Sequence, residues 1–313
     1  MDSLERGLAG VTLVLPTPFK ESEEVAYSDI EGLVDWALAK GVTALAVTGT
    51  MGEAFRLSDR ERMAVVQEFC AAARGKLPVV AGAGHLSTVT AIELGRSLVE
   101  VGAAALLVPP PPIGATSAEA IEEFFESVAS EVQVPVIVQD DPVHLGFALA
   151  PSMIARLADK HANVRYAKLE ELPSPSKIRR VREASGDTVA CLGGSGGVYA
   201  LEELAAGAAG LMTGFCFPEV LVAVMKAFRA GSLVEARRLV GLVSHLSRIE
   251  SLPTVSMALR KHLYWKRGAL SSWIVRSPGL GVEDWLVEVA FEELARVDEE
   301  WDSLRASRWA TRE

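Results

Sequence analysis

Basic residues are in short supply. The 313-residue chain carries 31 Lys and Arg against 41 Asp and Glu, a formal net charge of −10, and its lysines and arginines are scattered. Nucleic acids and anionic membranes both need a clustered basic footprint, so neither is expected as a partner, and a small-molecule substrate fits better. Cysteine is scarcer still. Cys70, Cys191 and Cys216 are far apart and odd in number, which leaves no readable disulfide framework and no CxxC metal site, and a reducing cytoplasm is the expected setting. The N-terminal "MDSLERGLAGVTLVLPTPF" has acidic residues near its start and a short apolar run ending in prolines. It matches neither a signal peptide nor a membrane span and reads as a first strand.

What the chain does have is apolar mass. Half of its residues are hydrophobic, enough for a large core, and its charged fraction is that of an ordinary globular protein. Short runs rich in Val, Ile and Leu recur, separated by amphipathic stretches long enough for helices. The candidate strands are "GVTLVLPTP" from Gly10, "ALAVTG" from Ala44, "PVVAGAG" from Pro78, "AALLVPP" from Ala104, "PVIVQDD" from Pro135, "VRYAKLEE" from Val164, "TVACLGG" from Thr188 and "GLMTG" from Gly210. Helix-stop glycines precede several runs, and helix starts such as Ser58-Asp59-Arg60-Glu61 and Ser87-Thr88 follow others.

Near-continuous apolar strands imply burial on both faces, hence a parallel sheet covered by helices. Eight such βα units in about 220 residues match an α/β architecture of the (β/α)8 TIM-barrel type, which takes about 250 residues. A doubly wound sheet competes, but no GxGxxG follows the first strand and the spacing is even. Beyond the eighth strand the chain reads helical through "PEVLVAVMKAFRAGSLVEARRLVGLVSHL", "TVSMALRKHLYWKRG" and "VEDWLVEVAFEELARVDEEW". The expected organisation is a barrel over residues 1–230 and a C-terminal helical extension over 231–313, packed on the barrel or on a neighbouring subunit.

A barrel places its chemistry at the C-terminal ends of the strands. The segments there are Thr17, "GTMGE" (49–53), "GAGH" (82–85), "PPPPIG" (109–114), "QDDPVHLG" (139–146), Lys168 with Glu170, "GGSGG" (193–197) and "TGFCF" (213–217). Lysine is among the residues least often buried. In "VRYAKLEE", period-two alternation sets Val164, Tyr166, Lys168 and Glu170 on one face and Ala167 and Leu169 on the other, so Lys168 points into the barrel mouth. An amine desolvated there is more often uncharged and able to attack a carbonyl carbon, which makes a Schiff base one reading. A lysine that pairs with Glu170 or Glu53 and merely closes the barrel top is the other.

Taken together, "TP" at 17–18, "GTMGE", the Pro-rich end of strand four, the proline-centred segment after strand five, "AKLEE", the Gly-rich turn after strand seven and "ALRKHLYWKRG" resemble the dihydrodipicolinate synthase and N-acetylneuraminate lyase family over nearly the whole chain. The resemblance implies a (β/α)8 barrel, usually a homo-oligomer (dimer or tetramer), in which the strand-six lysine condenses with the ketone of pyruvate or another 2-oxo acid. No cofactor and no metal is implied. Carried over, Lys168 forms the Schiff base. Thr50 and the backbone around Gly49, Met51 and Gly52 hold the 2-oxo acid carboxylate, with Asp140, Gly194, Ser195 and Met212 also expected at the substrate.

Departures from the family pattern matter as much. The tyrosine that usually shuttles a proton to the imine falls at Gln139, and an amide cannot exchange protons at neutral pH. The second threonine of the family's GTTGE is Met51, the strand-four tyrosine is replaced within Pro109–Pro112, and the arginine that binds the synthases' second substrate corresponds to His144. Dihydrodipicolinate synthase activity is therefore not expected. His144, His85, Asp140 or Asp141 is expected to supply acid–base catalysis, with Gln139 orienting substrate or water.

The expected function is thus a Schiff-base class I lyase, an aldolase or a dehydratase, on a 2-oxo acid. Two alternatives remain at this level. One is a metal-dependent barrel lyase using His85, Asp140, Asp141, His144 and Glu53 as ligands, although no HxH or HExxH spacing supports it. The other is a catalytically altered barrel that only binds a 2-oxo acid.

Overall fold

The computed structural model describes residues 2–112 and 116–310, with side chains up to 306. Each of the eight apolar runs becomes a strand: β1 (Val11–Val14), β2 (Ala44–Val47), β3 (Val79–Gly82), β4 (Ala105–Val108), β5 (Val136–Asp140), β6 (Val164–Leu169), β7 (Ala190–Gly193) and β8 (Gly210–Thr213). They pair in parallel and in sequence order, and β8 returns to β1, so the sheet closes into a barrel.

Closure sorts the side chains into two apolar layers. Val14, Ala46, Val80, Leu107, Ile137, Tyr166, Leu192 and Met212 fill the barrel interior, while alternate residues such as Leu13, Leu45, Leu106, Val138 and Ala167 pack outward beneath the helices. This two-sided burial is why the strands read as continuous apolar runs. One alternation fails. The β5–β6 register shifts between Val136 and Ile137, so Val136 faces Val164 but Ile137 faces Tyr166. The irregularity leaves Val164 in the outer layer, apart from Tyr166 and Lys168.

The N-terminus also departs from a bare first strand. A short helix, Ser3–Leu8, precedes β1, started by a reciprocal capping box between Asp2 and Glu5. Its Leu4 and Leu8 join the interior layer. After β8 the chain forms the helices Pro218–Arg229, Leu233–Glu250, Ser256–Lys266 and Asp284–Ala310. Between the last two, residues 269–283 run without regular structure across the rim above β2. Arg276 pins this strap: its guanidinium donates to both Glu61 oxygens at 2.8 and 3.0 Å, and its backbone N–H to Glu53 Oε2 at 3.0 Å. Among the described residues no helix is long and apolar enough to cross a membrane.

Candidate active site

The ends of the strands enclose a cavity of about 410 Å³ lined by Gly49, Thr50, Met51, Gln139, His144, Lys168 and Gly194 among others. Lys168 reaches it because β6 alternates in from Tyr166, and the side chain is only 8% exposed. Its Nζ lies 2.6 Å from Glu170 Oε1. The Glu170 N–H donates to the Asp140 carbonyl at 2.8 Å, which carries the β5–β6 ladder one residue past the strand and keeps Glu170 on the inward face. Burial pushes the Glu170 carboxyl up to about 7, against the pull of Lys168 and with a further push from Asp141.

Gln139 sits opposite Lys168 in the β5–β6 register. Its Nε2 lies 3.5 Å from Glu170 Oε2, so the amide that stands in for a tyrosine touches the carboxylate at the limit of hydrogen-bonding distance. His144 follows on a short helical turn, Pro142–Leu145, and its Nδ1 is 2.9 Å from each Asp141 oxygen. That contact raises the His144 pKa above its ordinary value; Asp141, although buried, is held below the usual carboxylate range by the same contact.

The loop after β2 is bent by unusual backbone. Thr48 has φ 51° and Glu53 φ 55°, conformations that side-chain-bearing residues seldom adopt, least of all a β-branched threonine. The Thr17 hydroxyl donates to the Gly52 carbonyl at 2.7 Å and Lys261 pairs with Glu53, so the loop is held from below and from the C-terminal region. Gly82 must be glycine here, because a Cβ would stand 2.1 Å from the Thr48 carbonyl oxygen. The product is a wall at which Gly49, Thr50 and Met51 face the cavity.

Three residues expected at the substrate lie elsewhere. Gly52 is spent inside the turn, its carbonyl on Thr17 and no room at its Cα. Asp140 points outward because it is the neighbour of inward Gln139; its Oδ2 is 2.9 Å from Lys177 Nζ and its Oδ1 accepts from Leu149 N–H at 2.9 Å. Met212 is fully buried in the barrel interior, below the cavity floor. Ser195 faces an adjoining lobe, with its hydroxyl oxygen buried. His85 stays outside, 3.8 Å from Asp59. Of the Pro-rich segment after β4, Ile113 and Gly114 lie outside the described residues.

The ligand set of the metal reading is dispersed accordingly: His85 is with Asp59, Asp140 with Lys177 and Glu53 with Lys261. Conversely, the cavity includes residues that strand-end reasoning did not reach, namely Arg56, Pro253, Ser256, Met257, Arg260, Val275 and Leu280. Most of them come from the C-terminal helices and the strap, which nothing in their own sequence directs to a barrel mouth. The adjoining lobe, about 390 Å³, shares His144, Glu170, Gly194 and Arg260 with the cavity and continues to Leu172, Tyr199 and Arg248.

A buried lysine with an inward carboxylate at the top of a parallel barrel narrows the ancestry, and the profile of the dihydrodipicolinate synthetase family matches residues 7–284. The chain belongs to that family. Among its relatives, an L-2-keto-3-deoxyarabonate dehydratase of Azospirillum brasilense is 28% identical over 260 residues, covering 80% of this chain and 84% of the relative. A 4-hydroxy-tetrahydrodipicolinate synthase of Archaeoglobus fulgidus is 30% identical over 306 residues, covering 94% and 98%. The crystal structure of dihydrodipicolinate synthase from Rhodopseudomonas palustris superposes with a TM-score of 0.86 at 31% identity, covering 92% of this chain and 97% of that one. As a member of the dihydrodipicolinate synthetase family, the chain is a carbon–carbon or carbon–oxygen lyase.

Proposed function

We propose that this family member is a Schiff-base hydro-lyase that removes water from a hydroxylated 2-oxo acid. The observation that carries the reading is the buried Lys168–Glu170 contact of 2.6 Å in a cavity large enough for a small organic acid. The Lys168 amine attacks the C2 carbonyl, whose oxygen leaves as water, and the iminium becomes an electron sink. Glu170, poised near neutrality, takes the C3 proton. The enamine expels the C4 hydroxyl, which departs as water with a proton from the His144 imidazolium held by Asp141. A water then hydrolyses the imine and frees Lys168. Thr50 with the backbone of Gly49 and Met51 takes the C1 carboxylate.

Dehydration is favoured over aldol cleavage for two reasons. A carboxylate beside the imine can remove the C3 proton directly without the missing tyrosine, and a relative of this chain is named for dehydrating a 3-deoxy-2-keto sugar acid. The working setting is a homo-oligomer in the cytoplasm. Exposed Phe55, Leu86 and Val89, from the segments after β2 and β3, support a subunit contact there.

Borohydride trapping with 2-oxo acids, read by mass spectrometry, tests the first step; an adduct on Lys168 that disappears in Lys168→Ala is expected. Product analysis tests the second. Retention of the whole carbon skeleton with loss of water supports the hydro-lyase, whereas release of pyruvate overturns it.

A further inference from the structure

Arg260 is a guanidinium held still with one arm unused. It projects from the helix Ser256–Lys266 and lines both the cavity and the adjoining lobe. Its Nε donates to Glu250 Oε1 at 2.9 Å and its Nη2 to Ser251 Oγ at 3.2 Å. Glu250 is fully buried, and its other oxygen accepts the Cys216 N–H at 3.0 Å, so the anchor itself is fixed. The Arg260 side chain is 14% exposed. Among the described residues Nη1 has no hydrogen-bond partner, and it lies beside Gly214, another cavity residue, where an added Cβ would be 3.8 Å away. Arg56, the other guanidinium in the cavity, has its Nη1 occupied by Glu53 Oε2 at 3.0 Å and contacts Met257 Sδ.

The loop after β7 packs against both the Lys168 side chain and this arginine. A Cβ on Gly194 would stand 3.0 Å from Lys168 Cε, and one on Gly196 would stand 2.9 Å from Arg260 Nη2. Two residues of chain extend at most about 7 Å, so Lys168 and Arg260 flank one short loop of the same cavity, and the far end of an acid of five or six carbons joined to Lys168 is the part that can extend toward the guanidinium. A charged, planar donor group at the far end selects an oxygen acceptor there.

We infer that Arg260 is a specificity-determining residue that binds the terminal oxygen group, hydroxyl or carboxylate, of a five- or six-carbon 2-oxo acid whose C2 is joined to Lys168. The inference rests on the Schiff-base reading and extends it to the substrate class. It also assigns the helix Ser256–Lys266 a direct contact with substrate.

The test is borohydride inactivation of the full-length protein at increasing concentrations of pyruvate, of a hydroxyl-ended five-carbon 3-deoxy-2-oxo acid and of a carboxylate-ended six-carbon one. In the wild type, at least one long acid half-saturates at a concentration tenfold or more below pyruvate. In Arg260→Met that advantage falls by about 10- to 100-fold, the loss of a hydrogen bond to a charged group, while pyruvate is still trapped on Lys168. The long acid that loses more identifies the terminal group. Arg260→Lys, which keeps a charge against buried Glu250, covers the case in which the methionine variant does not fold, and it retains only part of the advantage. A wild type that does not distinguish the long acids from pyruvate, or an Arg260 variant that weakens pyruvate and long acids equally, overturns the assignment. Failure of all three acids to trap on the wild type removes the Schiff base itself and this inference with it.

Discussion

Lys168 Nζ and Glu170 Oε1 lie 2.6 Å apart, on neighbouring inward positions at the top of β6. In sequence the two readings of that lysine, reactive amine or structural ion pair, compete. In space they combine, because the partner that neutralises the ammonium also faces the cavity and is itself poised near neutrality. An ion pair that only closed the barrel would have no need of an opening beside it.

Glu170→Gln separates the two roles. The amide keeps the shape and can still contact Lys168, but it cannot accept the C3 proton. Turnover of a hydroxylated 2-oxo acid is expected to fall by about 10²–10⁴-fold, the usual worth of a positioned acid–base group, while trapping of pyruvate on Lys168 persists. Steady-state kinetics with parallel mass spectrometry check it. Turnover within threefold of wild type assigns the proton step to another residue.

The pH profile follows from the same group. Burial holds the Glu170 carboxyl up at about 7, above the ordinary value, so the basic form is lost as pH falls through 7. If Glu170 is the base, kcat/KM drops tenfold per pH unit below about 7 and levels above it. His144 must keep its proton, and its pKa is raised by Asp141, so the falling limb lies on the alkaline side of the ordinary histidine value. The profile is therefore a bell. Glu170→Gln should erase its acidic limb and His144→Gln its alkaline one; a profile flat from pH 5 to 9 in the wild type refutes both assignments.

Gly194 makes room for this pair. A methyl group at that position would stand 2.5 Å from Glu170 Cγ and 3.0 Å from Lys168 Cε, so one or both side chains must shift. A displacement of about 1 Å at reacting groups costs about 100-fold in rate, and Gly194→Ala is expected to lose about that much kcat. Adduct formation with pyruvate should slow as well, because the nucleophile moves. Wild-type kcat in this variant places the reacting groups elsewhere.

How far the sequence could be read depends on how local each signal is. All eight strands were legible, because two-sided burial writes itself as a run of Val, Leu and Ala, and Lys168 stood out against its run. The Ser3–Leu8 helix was not, since the Asp2–Glu5 capping box was outweighed by the apolar residues that follow it. Asp140 and Asp141 are adjacent, yet one faces out to Lys177 and the other in to His144, and only the strand register tells them apart. Arg260 lies 92 positions from Lys168, on a helix whose pattern says nothing about a cavity. Contacts of that kind arise from how the C-terminal helices fold back over the rim, and the short-range pattern of one chain does not encode them.

Asp140 supplies a control in which an invited catalytic reading gives the wrong answer. It stands in the "QDDP" segment where an acid–base residue is sought, but both it and Lys177 are almost completely buried on the outer side of the sheet, 2.9 Å apart. Burial raises the Asp140 pKa despite Lys177, as expected for a charge held away from water. Removing Asp140 leaves buried Lys177 with only Glu171 and the Leu149 carbonyl as partners, so Asp140→Ala should fall toward the low end of the about 3–5 kcal/mol that breaking a buried pair costs. Denaturant melts check the stability and kcat of the remaining folded enzyme checks the chemistry. A low melting midpoint with near-normal kcat is expected, the reverse of Glu170→Gln, which should leave the midpoint close to wild type and remove turnover. If Asp140→Ala instead keeps its stability and loses kcat, the proton chemistry runs through the outer face of β5, and the roles given to Glu170 and His144 must be exchanged for it.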